Sequence, residues 1–386
     1  MSFYPFWLFN KGMTITAPTI TLPDTMYALE GREFVIYFDN VIRAQFPLDC
    51  YDIDVSTTAT SYKSYRQFHL ANRWSFTPTS ADAGSNNITI SIYFNNTLLT
   101  SKTCTIVTKA LTSGTGATRQ FIMIGDSITA AGRYHAELVR FGLTDPMTIT
   151  QLGTNTHSDK ADSTYVTRTV SHNGHAGNAI ADYYSNFTFP FHFDGSTGTV
   201  QNPFIENSGE LFNFAYYLSH EGYSLNSGDW VTIELGGNDA YQGMETEALM
   251  VAKLATMKTQ LDYMIANIQA NSPSGIRIAL FLPLQPSSSQ DAAGRSYFSG
   301  KRRKDFSYCI KRVAEMYYTN YSSLFPLIPY NACLDTVNNT QVDPTAVLNS
   351  RNLTTYSQQS NCIHPGLPGY WQFADCLYSF LKGNET

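Results

Sequence analysis

Two segments of this chain are largely apolar and stop at glycine followed by polar residues. Phe121-Ile122-Met123-Ile124 runs into Gly125-Asp126-Ser127-Ile128-Thr129, and Trp230-Val231-Thr232-Ile233-Glu234-Leu235 runs into Gly236-Gly237-Asn238-Asp239. A largely apolar run of this length that ends in glycine reads as a buried strand. Further apolar strands near 147–152, 276–282 and 324–328 interleave with helical patterns. The clearest helix spans Glu245 to Ala270, where Met257, Leu261, Met264, Ile265 and Ile268 form one face for the core. Strands alternating with helices imply a parallel sheet covered on both sides, an α/β three-layer sandwich. Ligands of such sheets bind at the carboxyl ends of the strands, which is where both polar stops fall.

Ser127 is the first candidate for chemistry. A strand that turns sharply into a helix, here expected over Ala130 to Phe141, projects a serine Oγ above the sheet. Gly-Asp-Ser alone is also an ordinary turn tripeptide, so its company matters. Ser171-His172-Asn173-Gly174-His175-Ala176-Gly177-Asn178 is a glycine-bearing loop, the Gly-Gly-Asn-Asp stop follows it, and Asn361-Cys362-Ile363-His364-Pro365 leads into an aromatic helical stretch from Gly369 to Leu381.

In order and surroundings these four blocks resemble those of the SGNH (GDSL-type) hydrolases over about residues 119 to 382. The resemblance implies a flavodoxin-like three-layer fold and hydrolysis of carboxylic esters. It makes Ser127 the nucleophile and His364 the base. The oxyanion hole it implies consists of the Ser127 N–H, the Gly177 N–H and the Asn238 side chain, with Gly174 as the competing glycine. Ester hydrolysis needs those types: a nucleophile, a proton acceptor, and uncharged donors aimed at the developing oxyanion. Asp126, His175 and Gly237 are candidates to face the substrate, and His172 flanks the same loop. His135, His192 and His220 read as packed or hydrogen-bonded side chains. No metal-ligand spacing, CxxC or phosphate loop is present, so neither a metal nor a cofactor is expected.

One position departs from the family pattern. The family usually carries aspartate three residues before its histidine, and this chain has Asn361. A carboxamide has no charge to offer an imidazolium, and its NH₂ can favour the wrong tautomer. Three readings stay open: a Ser-His dyad aided by a backbone carbonyl or Asn361, a carboxylate from Asp343 or Asp335, or a site that binds without turnover.

The first block begins only near residue 119 of 386, which leaves an N-terminal region to explain. Glu33 to Phe38 and Ile88 to Phe94 are rich in β-branched and aromatic residues, and Asn95-Asn96 separates the latter from Thr97-Leu98-Leu99 like a hairpin turn. With Trp74 to Pro78 and Ala81 to Gly84, this region is similar to an immunoglobulin-like β-sandwich. The expected division is an N-terminal segment 1–14, the sandwich 15–110, a linker 111–118 and the hydrolase 119–386. All four blocks follow the sandwich, so it is expected to be dispensable for a small soluble ester. Phe189 to Gly228 is an insertion, read as either a cleft wall or surface packing.

Net charge −6 with 15% charged residues argues against a nucleic-acid partner, and Lys301 to Lys304 reads as the opening of a solvated helix. Aromatics at 14%, among abundant Ser, Thr and Asn, suit a carbohydrate-facing protein. The expected substrate is therefore an O-acetylated polysaccharide or cell-surface glycan. Rival readings are a lipase or thioesterase of the same family, and a glycan-binding or phage tail structural protein with a decayed site. Six cysteines permit disulfides, and Cys362 could pin the His364 loop. The first residues lack a basic stretch and cleavage site, and no apolar run spans a bilayer, so membrane insertion is not expected. An extracellular or virion-associated (phage tail) setting is expected, with other virion or cell-surface proteins contacting the N-terminal region.

Overall fold

The architecture is taken from a computed structural model that describes residues 14–60, 69–70, 72–191, 197–241, 244–297 and 302–385. The segment 1–13, His192 and Lys301 lie outside the described residues.

The central sheet follows from the apolar strands. Thr118–Gly125 lies in the middle, parallel to Trp230–Glu234 on one side and to Thr148–Leu152 and Thr167–Gly174 on the other. Arg277–Phe281 and Leu327–Ile328 continue the parallel order, and Asn155–Ala161 adds an antiparallel edge beside Thr167–Gly174. Successive side chains of a strand point to opposite faces. Ile122 and Ile124 accordingly join one apolar cluster with Val231, Ile233 and the helices Glu247–Ala270 and Arg303–Tyr321. Phe121 and Met123 join the other, with Trp230 and the helices Arg133–Gly142 and Leu367–Gly383. That is the three-layer α/β sandwich. Met257, Leu261, Met264, Ile265 and Ile268 are all buried on the first face.

The N-terminal region is all-β over most of its length. Thr25–Leu29, Thr97–Lys109, Gly84–Phe94 and Asp52–Thr57 form one sheet, and Phe34–Tyr37, Arg73–Phe76 and His69–Leu70 form a second. Residues of both sheets, among them Ile36, Trp74, Ile90 and Ile106, share one core. Asn95 and Asn96 both take positive φ, +48° and +61°, the geometry that a two-residue hairpin turn requires.

Several expectations are corrected. All six cysteines are free, and Cys362 is buried without a disulfide. In the insertion, Phe204, Phe212, Phe214 and Tyr217 are fully buried and stack on one another, so their role is packing and not a cleft wall. The solvated helix read at this basic run does open at Arg303, with Arg302 and Lys304 exposed, and Arg303 itself bonds Asp39 and the Ser287 carbonyl. The expected helix from Ala130 is broken, with Ser127–Ala130 and Arg133–Gly142 separated at Gly132, whose φ is +67°.

The N-terminal region is also bound into the hydrolase. Leu29 sits in the cluster that contains Phe380 and Leu381, and Ala332 of the hydrolase sits in the N-terminal core. Polar contacts surround this seam: Tyr37 Oη donates to Asp335 Oδ2 (3.1 Å), Asn40 Nδ2 to the Leu334 carbonyl (2.8 Å) and Lys311 Nζ to the Ile42 carbonyl (2.8 Å). Each fully buried large aliphatic side chain contributes about 1.5–3 kcal/mol, against a total stability of about 5–15 kcal/mol. The expectation of dispensability therefore reverses. A fragment beginning at Thr118 is expected to lose the cooperative melting transition of the full chain, and with it p-nitrophenyl acetate hydrolysis. A folded, active fragment would show the seam to be incidental. Among the described residues, no helix is long and apolar enough to cross a membrane.

Candidate active site

The nucleophile turn is built by Asp126. It ends the central strand with φ −88° and ψ −149° and caps the short helix Ser127–Ala130, its Oδ1 accepting the Ile128 N–H at 2.9 Å. Ser127 thus occupies the first helical position, where a backbone N–H has no partner inside the helix. Its Oγ lies 2.8 Å from His364 Nε2.

His364 is carried by a loop held from several directions. Gln341 N–H donates to the His364 carbonyl (3.4 Å), Gly366 N–H to the Asn339 carbonyl (2.9 Å) and Ser287 N–H to the Cys362 carbonyl (2.8 Å). Burial, and then the positive charge of Arg133, hold the His364 imidazole below its ordinary pKa. It is therefore neutral further into acid than a free histidine, as a base must be.

Asn361 fills the orienting position with the opposite polarity from a carboxylate. Its Oδ1 accepts the backbone N–H groups of Ile363 and His364, both at 2.9 Å, and this leaves its Nδ2 3.2 Å from His364 Nδ1. Reversing the amide would put NH₂ against two N–H donors, so the orientation is fixed. With Nδ1 accepting, the neutral ring keeps its proton on Nε2, the nitrogen that faces Ser127. Neither alternative acid stands at Nδ1. Asp335 is buried and accepts from Tyr37, Val337 and Asn338, and Asp343 accepts from the Thr345 N–H and hydroxyl at the base of an exposed hairpin.

Of the oxyanion candidates, Asn238 reaches the residue before the serine. Asn238 Nδ2 donates to the Asn178 carbonyl (2.9 Å) and lies 3.4 Å from Asp126 Oδ2, which ties the second and third blocks to the nucleophile turn. Gly177 is exposed, with φ +78°, a conformation in which a side chain would be strained. Gly174 is glycine for a different reason. A Cβ there would lie 2.3 Å from the Ala130 N, and its own N–H donates to His172 Nδ1 at 3.1 Å.

Two substrate-facing candidates are corrected. Asp126 is 3% exposed beneath the serine, and His175 is 1% exposed, packed on Phe189 with Nε2 against Asn155 Nδ2, its pKa pushed by burial down to about 3. His172 is likewise buried, against His135 and His157. Gly237 stays half-buried beside Asn238, and a Cβ on it would lie 3.3 Å from Asp126 Oδ2.

A group of acids went unread in the sequence. Burial pushes the Asp126 carboxyl up to about 7, and burial together with the Asp126 charge raises Glu234 well above the carboxylate range. Glu234 Oε2 accepts from Thr129 Oγ1 (3.1 Å), which also bonds Tyr134 Oη (2.8 Å). Asp239, pushed by burial up to about 6, accepts the Ile180 N–H at 3.0 Å and so ties the helix after the second block to the third block. An acid inside an otherwise apolar strand was the available signal. Among the described residues, no group of three or more His, Cys, Asp or Glu is placed to hold a metal ion.

The model of the GDSL-like lipase/acylhydrolase family matches residues 121–341, more than half of the 386. The chain belongs to that family. Solved structures similar to this GDSL-like hydrolase include a possible lipase from Chitinophaga pinensis, at 14% identity and TM-score 0.35 over 67% of this chain and 95% of that one. An extracellular lipase from Streptomyces rimosus is similar at 13% identity and TM-score 0.34, covering 69% of this chain and 100% of that one. Est24, a carbohydrate acetylesterase from Sinorhizobium meliloti, is similar at 13% identity and TM-score 0.31, covering 67% and 96%. No curated protein matches this chain.

Proposed function

We propose that this ester hydrolase removes O-acetyl groups from a carbohydrate, with Ser127 as nucleophile and His364 as base. The observation that carries the catalytic part is the 2.8 Å contact from Ser127 Oγ to His364 Nε2, on the turn where Asn238 Nδ2 lies 3.4 Å from Asp126 Oδ2. In this reading the imidazole first moves its proton from Nε2 to Nδ1, and Ser127 Oγ then attacks the ester carbonyl as its own proton passes to the freed Nε2. The oxyanion is held by the N–H groups of Ser127 and Gly177 and by Asn238 Nδ2, one such donor being worth about 10²–10³ in kcat. His364 then gives the proton to the departing sugar oxygen, and water, deprotonated by the same nitrogen, releases acetate from Ser127.

What supports a sugar as the alcohol is a chain with only 15% charged residues that displays tyrosine, with Tyr165 73% and Tyr356 41% exposed. A rigid ring with one polar atom suits a ligand that offers both C–H faces and hydroxyls. The same reading places the protein outside the cell or on a virion, with the N-terminal region toward its neighbours there. A second reading is favoured by one observation. The NH₂ of Asn361 faces Nδ1, so the ground-state tautomer presents a proton to Ser127, which suits a site that holds an ester and turns it over slowly.

Graded p-nitrophenyl esters beside acetylated polysaccharides test the proposal. Acetate release from polysaccharide is expected, with kcat/KM falling at least about tenfold from acetate to octanoate, because an oversized acyl group must displace packed side chains. A preference for octanoate would move the substrate class to lipids.

A further inference from the structure

A cavity of about 570 Å³ is lined by residues of the two segments that also carry Asn238 and His364, though not by those two residues themselves. Its wall includes Ala240 and Tyr241, on the helix Gly237–Tyr241 that also carries Asn238, and Cys362, which is two residues before His364. One helical turn rises about 5.4 Å and two extended residues span about 7 Å, so this wall begins within reach of a single bound substrate. Small-molecule pockets range over about 300–1,000 Å³, and an acetyl group needs only a small part of such a space.

The lining has two kinds of surface. Tyr241 and Phe306 meet edge to face, ring centroids 5.7 Å apart at 85°, and Tyr308 stands at the rim, 37% exposed. Around the rings sit Glu247, Asp305 and Arg302. Glu247 is oriented before any ligand arrives, since Arg312 Nη1 donates to its Oε1 at 2.6 Å and Tyr308 Oη reaches its Oε2 at 3.5 Å. Arg302 Nε donates to Asp305 Oδ2, so these charges pair with one another at an exposed edge, and an alkyl chain laid over them would strip their water without offering a polar partner. A pyranose has the opposite needs. Its C–H faces pack on rings, and its hydroxyls donate to carboxylates and accept from Arg.

We propose that this cavity is the subsite for the alcohol portion of the ester, a short oligosaccharide. One ring of it packs on Tyr241 and Phe306, and its hydroxyls bond Glu247, Asp305 and Arg302. The proposal rests on the carbohydrate esterase reading and adds to it the residues that choose the sugar. The acetyl carbonyl at Ser127 and the sugar ring in the cavity then occupy separate walls, so the two halves of the substrate are recognised by different side chains.

The test uses the full chain and the variants Tyr241→Ala, Tyr241→Phe and Glu247→Gln, assayed on acetylated xylo-oligosaccharides and on p-nitrophenyl acetate, which has no sugar. Tyr241→Ala and Glu247→Gln are expected to lower kcat/KM on the sugar ester about tenfold to a hundredfold, mainly through KM, with p-nitrophenyl acetate changed less than about twofold. Tyr241→Phe, which keeps the ring, should retain most of the activity. Sugar-ester hydrolysis unchanged in both Tyr241→Ala and Glu247→Gln overturns the subsite. Equal losses on both esters in both variants also overturn it, because they report damage to Asn238. If the wild type cleaves p-nitrophenyl acetate but no acetylated sugar, the carbohydrate reading itself has failed. A preference for p-nitrophenyl octanoate that Tyr241→Ala abolishes would then assign the cavity to an apolar tail.

Discussion

Ser127→Ala is expected to lower hydrolysis of p-nitrophenyl acetate by roughly 10⁴-fold or more while leaving the fold intact. The rate effect follows from the turn. The hydroxyl is the only nucleophile at the carboxyl end of the central strand that touches an imidazole, at 2.8 Å, among the described residues. The small structural effect follows from the same geometry. Ser127 is half-buried at the first position of a four-residue helix whose cap, the Asp126 to Ile128 bond, does not involve its side chain. A melting temperature within about 5 °C of wild type is therefore expected, since the one hydrogen bond lost, to His364, is worth about 0.5–1.5 kcal/mol. Retention of more than a few per cent of wild-type activity would remove Ser127 from the chemistry. A large fall in melting temperature would instead make the activity loss uninformative about mechanism, and circular dichroism separates the two.

The blocks that position this serine were legible because they are apolar or glycine-rich. Phe121 to Ile124 and Trp230 to Ile233 are buried on both faces, and a strand in that position is mostly apolar, so the pattern survives in the sequence without any tertiary information. The hairpin at Asn95-Asn96 and the buried stripe of Glu247–Ala270 were legible for similar local reasons. The hairpin Val342–Asn349 and Asn352–Gln359 was not. It is exposed over most of both strands, so neither face has to be apolar and no alternation marks it. Residue type also misled where burial decides the role. His172 and His175 flank the oxyanion loop in sequence, yet both rings point inward, and Asp126 adjoins the nucleophile but lies beneath it. Distance along the chain says which loop a side chain belongs to, not which side of the backbone it occupies. The seam with the N-terminal region was invisible for another reason. Leu29 and Ala332 are ordinary core residues whose partners lie in the other half of the chain.

Asn361→Asp is expected to raise kcat by about 10²-fold or more, the reverse exchange in serine proteases costing about 10⁴. The carboxylate needs no rearrangement to act. One oxygen keeps the two backbone bonds from Ile363 and His364, and the other replaces Nδ2, 3.2 Å from His364 Nδ1. An acceptor at that point requires a proton on Nδ1, which frees Nε2 to take the proton of Ser127, and the negative charge stabilises the imidazolium that forms. The sign of the pH effect follows. In the wild type, burial and Arg133 hold His364 below its ordinary value, so the base stays neutral and the acid limb of kcat lies below the ordinary imidazole range, about 6.5. A nearby anion favours the protonated ring and raises its pKa. His364 then remains charged to higher pH, and the acid limb shifts upward even as the plateau rises. Steady-state kinetics on p-nitrophenyl acetate from acid to neutral pH read both quantities at once. If neither changes, Asn361 does not act on His364 and a backbone carbonyl orients the ring instead. If the variant folds but is inactive, the site has been built around a neutral partner, and a carboxylate at this position disrupts the alignment of His364 that Asn361 now provides.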